Sequence, residues 1–174
     1  MGGSIAVTSQ LGVGSTFVIT LPFEIAPSPE QTPDAHAAPD ISIAGCRLLL
    51  VEDNALNAEI AQILLTDEGA TVTVVTDGKQ AVEIVQNNPP DTFDAVLMDV
   101  QMPNMNGYEA TRCIRELDRE DADAVPIIAM SANAFAEDVS ASLASGMNAH
   151  LSKPIDMRRV LATLIKYVRK RYEG

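Results

Sequence analysis

The sequence predicts an α/β fold in which a parallel sheet is covered by helices on both faces. Apolar runs of strand length alternate with helical patterns five times between residues 45 and 174. Several of these runs, such as RLLLV and PIIAM, are apolar at consecutive positions, which is typical of parallel strands buried on both faces. Together, the alternation and the continuous apolar runs predict five strand–helix units and a doubly wound sheet.

Each unit is justified by its own pattern. The first helix carries apolar residues at helical spacing and ends before Gly69. The fourth helix is rich in Ser and Ala, so we expect Val139 and Leu143 to be its main apolar anchors and the helix to move readily. The last helix has Val160, Leu161, Leu164 and Val168 on one side. The predicted pairs are RLLLV and ALNAEIAQILL, TVTVV and GKQAVEIVQNN, DAVLM and YEATRCIRELDR, PIIAM and FAEDVSASLAS, and AHLS and MRRVLATLIKYVRKR.

Two segments precede this domain, which we assign to residues 45–174. Residues 1–23 contain two alternating apolar patterns around a glycine turn and are predicted to form a β-hairpin appendage. Residues 24–44 contain four prolines, several alanines and no basic residue, so we interpret them as a linker. A lone hairpin is marginally stable in water, and this one is therefore expected to belong to something larger.

Composition excludes several classes of function. The net charge of −12 argues against a surface that binds nucleic acid or an anionic membrane. No apolar stretch is long enough to cross a bilayer. The spacing of Cys46 and Cys113 fits neither a metal site nor a disulfide pair, so we interpret them as ordinary buried thiols in a reducing compartment. We therefore expect a cytoplasmic fragment without direct membrane contact. Six of the twelve basic residues fall between Arg158 and Arg171, which we interpret as a solvated helix face, with a docking surface as the alternative.

Four of the five predicted strands end in a group that binds metals or phosphate. Glu52 and Asp53 follow the first strand, Asp99 the third, Ser131 the fourth and Lys153 the fifth. Each residue alone has an ordinary explanation, since acids favour helix starts, serine caps helices and lysine is common on surfaces. Their joint placement at one edge of a parallel sheet is not explained by unrelated caps, and ligands bind at this edge in such folds.

This set of residues suits phosphoryl chemistry. Asp53 and Asp99 come from strands expected to be neighbours, and two carboxylates about 4 Å apart repel by about 4 kcal/mol at an effective dielectric of 20. Either one carboxylate is protonated or a divalent cation lies between them, and oxygen ligands suit Mg²⁺. A carboxylate nucleophile, a cation, a hydroxyl and an ammonium group together form a site for a phosphoryl group.

The motifs LLLVEDN, VLMDVQMPNMNG, IIAMSA and HLSKPI resemble those of the response-regulator receiver domain, in the family's order and spacing. The resemblance implies a flavodoxin-like (βα)5 fold with strand order 2-1-3-4-5 and a cis Lys153–Pro154 peptide bond. It implies that Asp99 accepts the phosphoryl group, Glu52 and Asp53 form the acidic pair, Ser131 is the switch hydroxyl and Lys153 contacts the phosphate. The Gln101 backbone carbonyl would be a further Mg²⁺ ligand.

One position departs from this family. Receivers often carry a tyrosine or phenylalanine three residues before the lysine, and this chain has His150, which we expect to act in the switch instead. Residues 1–23 are similar to the end of the ATP-binding domain of sensor histidine kinases, but lack the rest of the nucleotide pocket, so we expect no ATP binding. The chain thus resembles the C-terminal part of a hybrid histidine kinase.

The leading hypothesis is a phosphorelay receiver without kinase activity of its own. A histidine kinase or histidine-phosphotransfer protein would donate to Asp99 with Mg²⁺ bound, and the phosphoryl group would pass to a phosphotransfer partner or regulate the parent kinase. The alternative is a docking or dimerisation module that works without phosphorylation. A cofactor-binding enzyme would want a glycine-rich phosphate loop where this chain has Glu52 and Asp53, and an aspartate-nucleophile phosphatase usually has another aspartate where this chain has Gln101. The sequence gives no indication of the oligomeric state.

Overall fold

The computed structural model describes residues 2–12, 14–22, 42–132 and 135–172. The chain divides into two compact units, Met1–Ala38 and Pro39–Gly174. Most of the predicted linker, including residues 24–41, lies outside the described residues. Within the part of the chain that is described, no helix combines the length and the apolar character needed to cross a bilayer.

The first unit contains the predicted hairpin. Strands β1 (Ser4–Gln10) and β2 (Gly14–Thr20) pair antiparallel. The register places Ile5 opposite Ile19 and Val7 opposite Phe17, so these four apolar side chains share one face of the ribbon. All four are exposed within this structure.

The second unit contains a five-stranded parallel sheet with the predicted topology. Its strand order is β4-β3-β5-β6-β7, which is 2-1-3-4-5 when the strands are counted within this sheet. Five helices alternate with the strands, so the doubly wound (βα)5 fold is confirmed. The elements are β3 (Arg47–Val51), α1 (Ala55–Asp67), β4 (Thr71–Val75), α2 (Gly78–Asn87), β5 (Ala95–Asp99), α3 (Gly107–Arg115), β6 (Ile127–Ser131), α4 (Ala136–Ala144), β7 (Ala149–Ser152) and α5 (Met157–Tyr172).

The sheet separates two apolar clusters, one on each face. Alternate residues of β3 enter different clusters: Leu49 packs with α2 and α3, and Leu50 packs with α1 and α5. The central strands β5 and β6 are buried along their whole length, as their continuous apolar runs predict. In α5, Val160, Leu164 and Val168 are buried, whereas Arg158 and Arg159 are exposed.

Helix α1 packs through a different face from the one its large apolar residues mark. Its buried residues are two alanines and one leucine: Ala58, Ala61 and Leu65. The four residues whose spacing predicts the helix are exposed, with exposed fractions from 38% to 64%; they are Leu56, Ile60, Ile63 and Leu64. We call these four residues the α1 apolar stripe.

Two smaller expectations from the sequence are wrong. Leu143 does not anchor α4, because 52% of it is exposed, and the buried residue of this helix is Ser142. Val139, the other expected anchor, is half-buried, so it is partly covered. The thiols of Cys46 and Cys113 are partly buried and not fully so.

Local features hold the loops at the carboxyl edge of the sheet. The Asn54 side chain caps α1 by accepting hydrogen bonds from the backbone N–H groups of Leu56 and Asn57, so the helix begins directly after the acidic pair. Gly107 begins α3 against the backbone of β5, where a Cβ atom would lie 2.3 Å from the carbonyl oxygen of Asp99. A side chain at this position would therefore push the end of β5 away from α3.

Candidate functional site

Three carboxylates meet where β3 and β5 end. Glu52 and Asp53 follow β3, and Asp99 is the last residue of β5. One oxygen atom from each carboxylate lies within 4.8 Å of the others. Glu52 and Asp99 are buried, whereas Asp53 is exposed, so the group has two buried members and one that faces solvent.

Lys153 joins the two buried carboxylates. Its Nζ atom lies 2.6 Å from Glu52 Oε2 and 2.6 Å from Asp99 Oδ2. The lysine side chain is 19% exposed, and it reaches the site from the loop after β7. The Lys153–Pro154 peptide bond is cis, as expected. Lys153 therefore supplies positive charge between two carboxylates that would otherwise repel each other.

The pKa values of this pair reflect burial and contact with one another. Burial raises the pKa of Asp99, and the hydrogen bonds from Lys153 and from the Gln101 N–H only partly oppose this effect. Burial lowers the pKa of Lys153, but its hydrogen bonds to Asp99 and Glu52 raise that pKa more, so it lies above its ordinary value. Lys153 thus stays protonated at neutral pH and holds Asp99 in place.

Ser131 and Gln101 lie at the same edge of the sheet. The Gln101 backbone N–H donates a hydrogen bond of 3.1 Å to Asp99 Oδ1. Ser131 is the last residue of β6 and is buried. Both residues line a cleft of about 350 Å³ together with Tyr108 of α3 and Asp138 of α4. The five strand-end residues predicted from the sequence therefore lie on one edge of the sheet, and their roles stay predictions.

Asn57 also belongs to this cluster, although the sequence analysis did not identify it. Its Nδ2 atom donates a hydrogen bond of 3.0 Å to Glu52 Oε1. The two oxygens of the Glu52 carboxylate thus have different partners, Asn57 for one and Lys153 for the other. Asn57 follows Glu52 by five residues, and α1 begins between them. This spacing could have indicated the contact, because a side chain in the first turn of a helix can lie against the loop that precedes it.

His150 connects β7 to α4. Its Nδ1 atom lies 2.8 Å from Ser142 Oγ, the buried hydroxyl of α4. Ser142 Oγ also donates a hydrogen bond of 2.9 Å to the carbonyl oxygen of Asp138, one turn earlier in that helix. The position at which receivers often carry an aromatic residue is therefore occupied here by a side chain that contacts α4 through a polar bond.

An open groove lies beside Lys153. It has a volume of about 510 Å³ and is formed by α1 on one side and by the segment after β7 on the other. Its apolar wall includes Ile60 and Leu64 from the α1 apolar stripe and Ile155. Because Lys153 lines the same groove, an apolar surface is continuous with the acidic cluster.

The donor set suits a hard divalent cation. Three carboxylates offer oxygen atoms within 4.8 Å of one another, which is the ligand type that Mg²⁺ prefers. Lys153 contacts two of the three carboxylates, Glu52 and Asp99, so one positive charge already opposes their negative charges. Asp53 is exposed, which leaves room on the solvent side for the water ligands that Mg²⁺ retains.

Comparison with known proteins identifies the family. Residues 48–165 match the model of the response regulator receiver domain, and the chain belongs to this family. The chain is 41% identical over 134 residues to sensor protein GacS of Pseudomonas syringae pv. syringae, and the match covers 76% of this chain and 14% of that protein. It is also 37% identical over 169 residues to the aerobic respiration control sensor protein ArcB of Escherichia coli K12. That match covers 96% of this chain and 21% of ArcB.

Among solved structures, the fold is similar to the receiver domain of sensor histidine kinase PA1611 from Pseudomonas aeruginosa PAO1. The two share 40% sequence identity with a TM-score of 0.65, and the match covers 72% of this chain and 99% of that one. That receiver was crystallised with a magnesium ion coordinated in its active-site cleft. The chain spans about a seventh to a fifth of the length of GacS and ArcB.

Proposed function

We propose that this receiver domain is a phosphorelay element that accepts a phosphoryl group from phosphohistidine onto Asp99. One observation carries the proposal: Asp99 ends β5 in a cluster with two further carboxylates and is held by Lys153 at 2.6 Å. A nucleophile, a cation-binding group and an ammonium group are the components that phosphoryl transfer requires.

The transfer follows from the chemistry of these groups. An oxygen of the Asp99 carboxylate attacks phosphorus as the bond from phosphorus to the imidazole nitrogen breaks. The electron pair of that bond returns to the imidazole, and the new phosphorus–oxygen bond makes an acyl phosphate on Asp99. Lys153, which contacts Asp99 Oδ2, would compensate the negative charge of the transferred group. The hydroxyl of Ser131, the last residue of the neighbouring strand β6, would bind one of its oxygens.

We propose Mg²⁺ as the cofactor of this reaction. The side chains of Glu52, Asp53 and Asp99 and the backbone carbonyl of Gln101 would hold the ion. When bound, Mg²⁺ neutralises the charge on the phosphoryl oxygens and favours attack by a carboxylate that they would otherwise repel. Support for this comes from the fitting donor set and from the magnesium ion in the 40% identical PA1611 receiver.

The partner is proposed to be a histidine kinase or a histidine-phosphotransfer protein. A donor histidine must reach Asp99 in line, so its protein has to contact the edge of the sheet. The α1 apolar stripe lies beside this edge, with Leu56 and Ile63 more than half exposed, and it matches the apolar face of a helix. The net charge of −12 disfavours nucleic acid as a partner.

We further propose the setting of the domain. GacS and ArcB are sensor proteins, and the ArcB match covers 96% of this chain, which includes most of residues 1–23. Residues 1–23 are then the last strands of a kinase ATP-binding domain, residues 24–44 a linker and residues 45–174 the receiver of a hybrid kinase. The receiver itself would act in the cytoplasm as a phosphoacceptor without kinase activity.

His150 is proposed to act with Ser131 in the response to phosphorylation. Its hydrogen bond to Ser142 joins α4 to β7, and β7 pairs with β6, the strand that ends at Ser131. A displacement of Ser131 toward the phosphoryl group would therefore reach α4 through this bond. Replacing His150 by Phe removes that bond. Amide hydrogen exchange of α4 should become faster in the unphosphorylated variant than in the wild type, and equal rates would exclude this role.

Labelling experiments test the main proposal. With Mg²⁺ and radiolabelled acetyl phosphate, the wild type should gain a label that hydroxylamine removes, as expected of an acyl phosphate. Asp99→Asn should gain none, and the control Asp118→Asn, at an exposed loop position, should be labelled like the wild type. A stable label on Asp99→Asn would exclude Asp99 as the acceptor. An unlabelled wild type would favour the alternative of a docking or dimerisation module that works without phosphorylation.

A second arm tests the partner. Ile60→Asp should slow labelling by a phosphorylated histidine-phosphotransfer protein but leave labelling by acetyl phosphate unchanged, because the small donor needs no docking surface. Gln62→Asp, about 200° around the helix from Ile60, is the matched control. Equal rates for the two variants with the protein donor would show that the α1 apolar stripe does not bind it.

A further inference from the structure

Asn57 has a side-chain contact that the helix it lies in does not require. It is in the first turn of α1, where Asn54 already accepts hydrogen bonds from the backbone N–H groups of Leu56 and Asn57 itself. The Asn57 side chain is therefore not needed as a cap, and asparagine is a weak helix former at such positions. Its amide instead donates a 3.0 Å hydrogen bond out of the helix to Glu52 Oε1.

The hydrogen bond from Asn57 matters for Glu52 because the other carboxylate oxygen, Oε2, contacts a lysine that has a second partner. The carboxylate is buried, and its Oε2 atom contacts Lys153, which also contacts Asp99 at the same distance of 2.6 Å. A phosphoryl group on Asp99 would compete for Lys153, so the lysine is a shared partner of Glu52. Asn57 is a neutral donor on a capped helix, and it contacts Glu52 alone among the three carboxylates of the cluster as far as the described hydrogen bonds extend.

We propose that Asn57 is a positioning residue that fixes the orientation of the Glu52 carboxylate for cation binding. It holds Oε1, which leaves Oε2 directed toward the centre of the cluster when Lys153 moves to the phosphoryl group. Residues behind metal ligands commonly change metal affinity by about 10-fold or more when they are replaced. The inference rests on the proposed function and deepens it by assigning a role to a residue that does not touch the reacting atoms.

The experiment compares Mg²⁺ affinity with reaction rate. Asn57→Leu removes the donor at similar size and should weaken Mg²⁺ binding, measured by isothermal titration calorimetry without any phosphodonor, by about 10-fold. At saturating Mg²⁺, its labelling rate with acetyl phosphate should stay within about twofold of the wild type, because Asp99 and Lys153 are unchanged. Asn57→Gln keeps an amide and should restore part of the affinity. The matched control Gln62→Leu removes an exposed amide about 140° around the same helix and should bind Mg²⁺ like the wild type.

A metal-free measurement separates positioning from folding. In EDTA, the ¹³C chemical shift of the Glu52 carboxyl carbon should change in Asn57→Leu and stay unchanged in Gln62→Leu, while circular dichroism shows both variants folded. If Asn57→Leu is not folded, Asn57→Ser provides the same test with a smaller side chain. Wild-type Mg²⁺ affinity in a folded Asn57 variant would overturn the inference alone, whereas a wild type that binds no Mg²⁺ would overturn the proposed function as well.

Discussion

Replacing Lys153 by Met tests whether this ammonium group is what stabilises the acidic cluster without metal. The variant keeps an unbranched side chain only one atom shorter and removes its charge. Carboxylate oxygens of Glu52 and Asp99 lie no more than 4.8 Å apart, and at an effective dielectric of 20 two charges at that distance repel by about 3.5 kcal/mol. Lys153 opposes this repulsion through two contacts of 2.6 Å.

The expected loss is smaller than the sum of these contacts. Removing one partner of a buried ion pair typically costs about 3–5 kcal/mol, but Lys153 is 19% exposed and Asp99, whose pKa is raised by burial, can take up a proton when the lysine is absent. We therefore expect the free energy of unfolding in urea with EDTA to fall by about 2–3 kcal/mol in Lys153→Met. Adding Mg²⁺ should stabilise this variant more than the wild type, since the ion replaces the missing charge.

The control is Lys79→Met. The Lys79 side chain is 72% exposed on the surface of α2, and its Nζ atom lies 3.9 Å from Glu83 Oε1. Its replacement should therefore change the free energy of unfolding by less than about 0.5 kcal/mol. The reasoning is refuted if Lys153→Met is as stable in EDTA as Lys79→Met. It is also refuted if Mg²⁺ raises the stability of Lys153→Met and of the wild type by the same amount.

Two further predictions concern stability. Leu65→Ala, in the buried face of α1, should lower the free energy of unfolding by about 2–5 kcal/mol, and Ile63→Ala, in the exposed stripe, by less than about 0.5 kcal/mol; urea unfolding of both variants checks which face of the helix is buried. Burial raises the pKa of Asp121, but hydrogen bonds from Arg119 and from the Asp91 N–H lower it more, so the folded protein binds this proton less readily than the unfolded chain. Asp121→Asn should thus cost about 1–3 kcal/mol at pH 7, and its difference from the wild type should shrink as the pH falls below about 4; a difference that is constant with pH would contradict this assignment.

Most of the sheet could be predicted because its strands are buried on both faces. The runs RLLLV, TVTVV and AHLS occupy the strands observed. The other two strands begin and end one residue later than predicted, at Asp99 and Ser131. An apolar pattern stops at the first polar side chain, whereas backbone pairing continues through it, since Asp99 still pairs with Met130 across the ladder.

The orientation of α1 could not be predicted for a different reason. Periodicity indicates a helix and marks its apolar side, but burial depends on which side fits the sheet. Here Ala58 and Ala61 allow close packing, with Leu65 as the single large contact, and Leu56 stays 64% exposed. Apolar periodicity has the same appearance whether the marked face packs on the core or stays exposed, so a sequence pattern does not separate the two.

The candidate site was predictable as a set of residues and not as an arrangement of charges. Parallel strands in register end at the same edge of the sheet. The pairing of Asp99 with Met130 therefore brings Ser131, the next residue of β6, to the edge where Asp99 lies. Which carboxylate is exposed, and which oxygen of Glu52 faces Asn57 or Lys153, depends on side-chain rotamers and on where α1 starts. A lysine shared by two carboxylates is also a switchable contact, because whichever anion gains charge draws it away from the other. If Asp99 accepts a phosphoryl group as proposed, the geometry that stabilises the resting cluster would also let Lys153 shift from Glu52 toward the added charge.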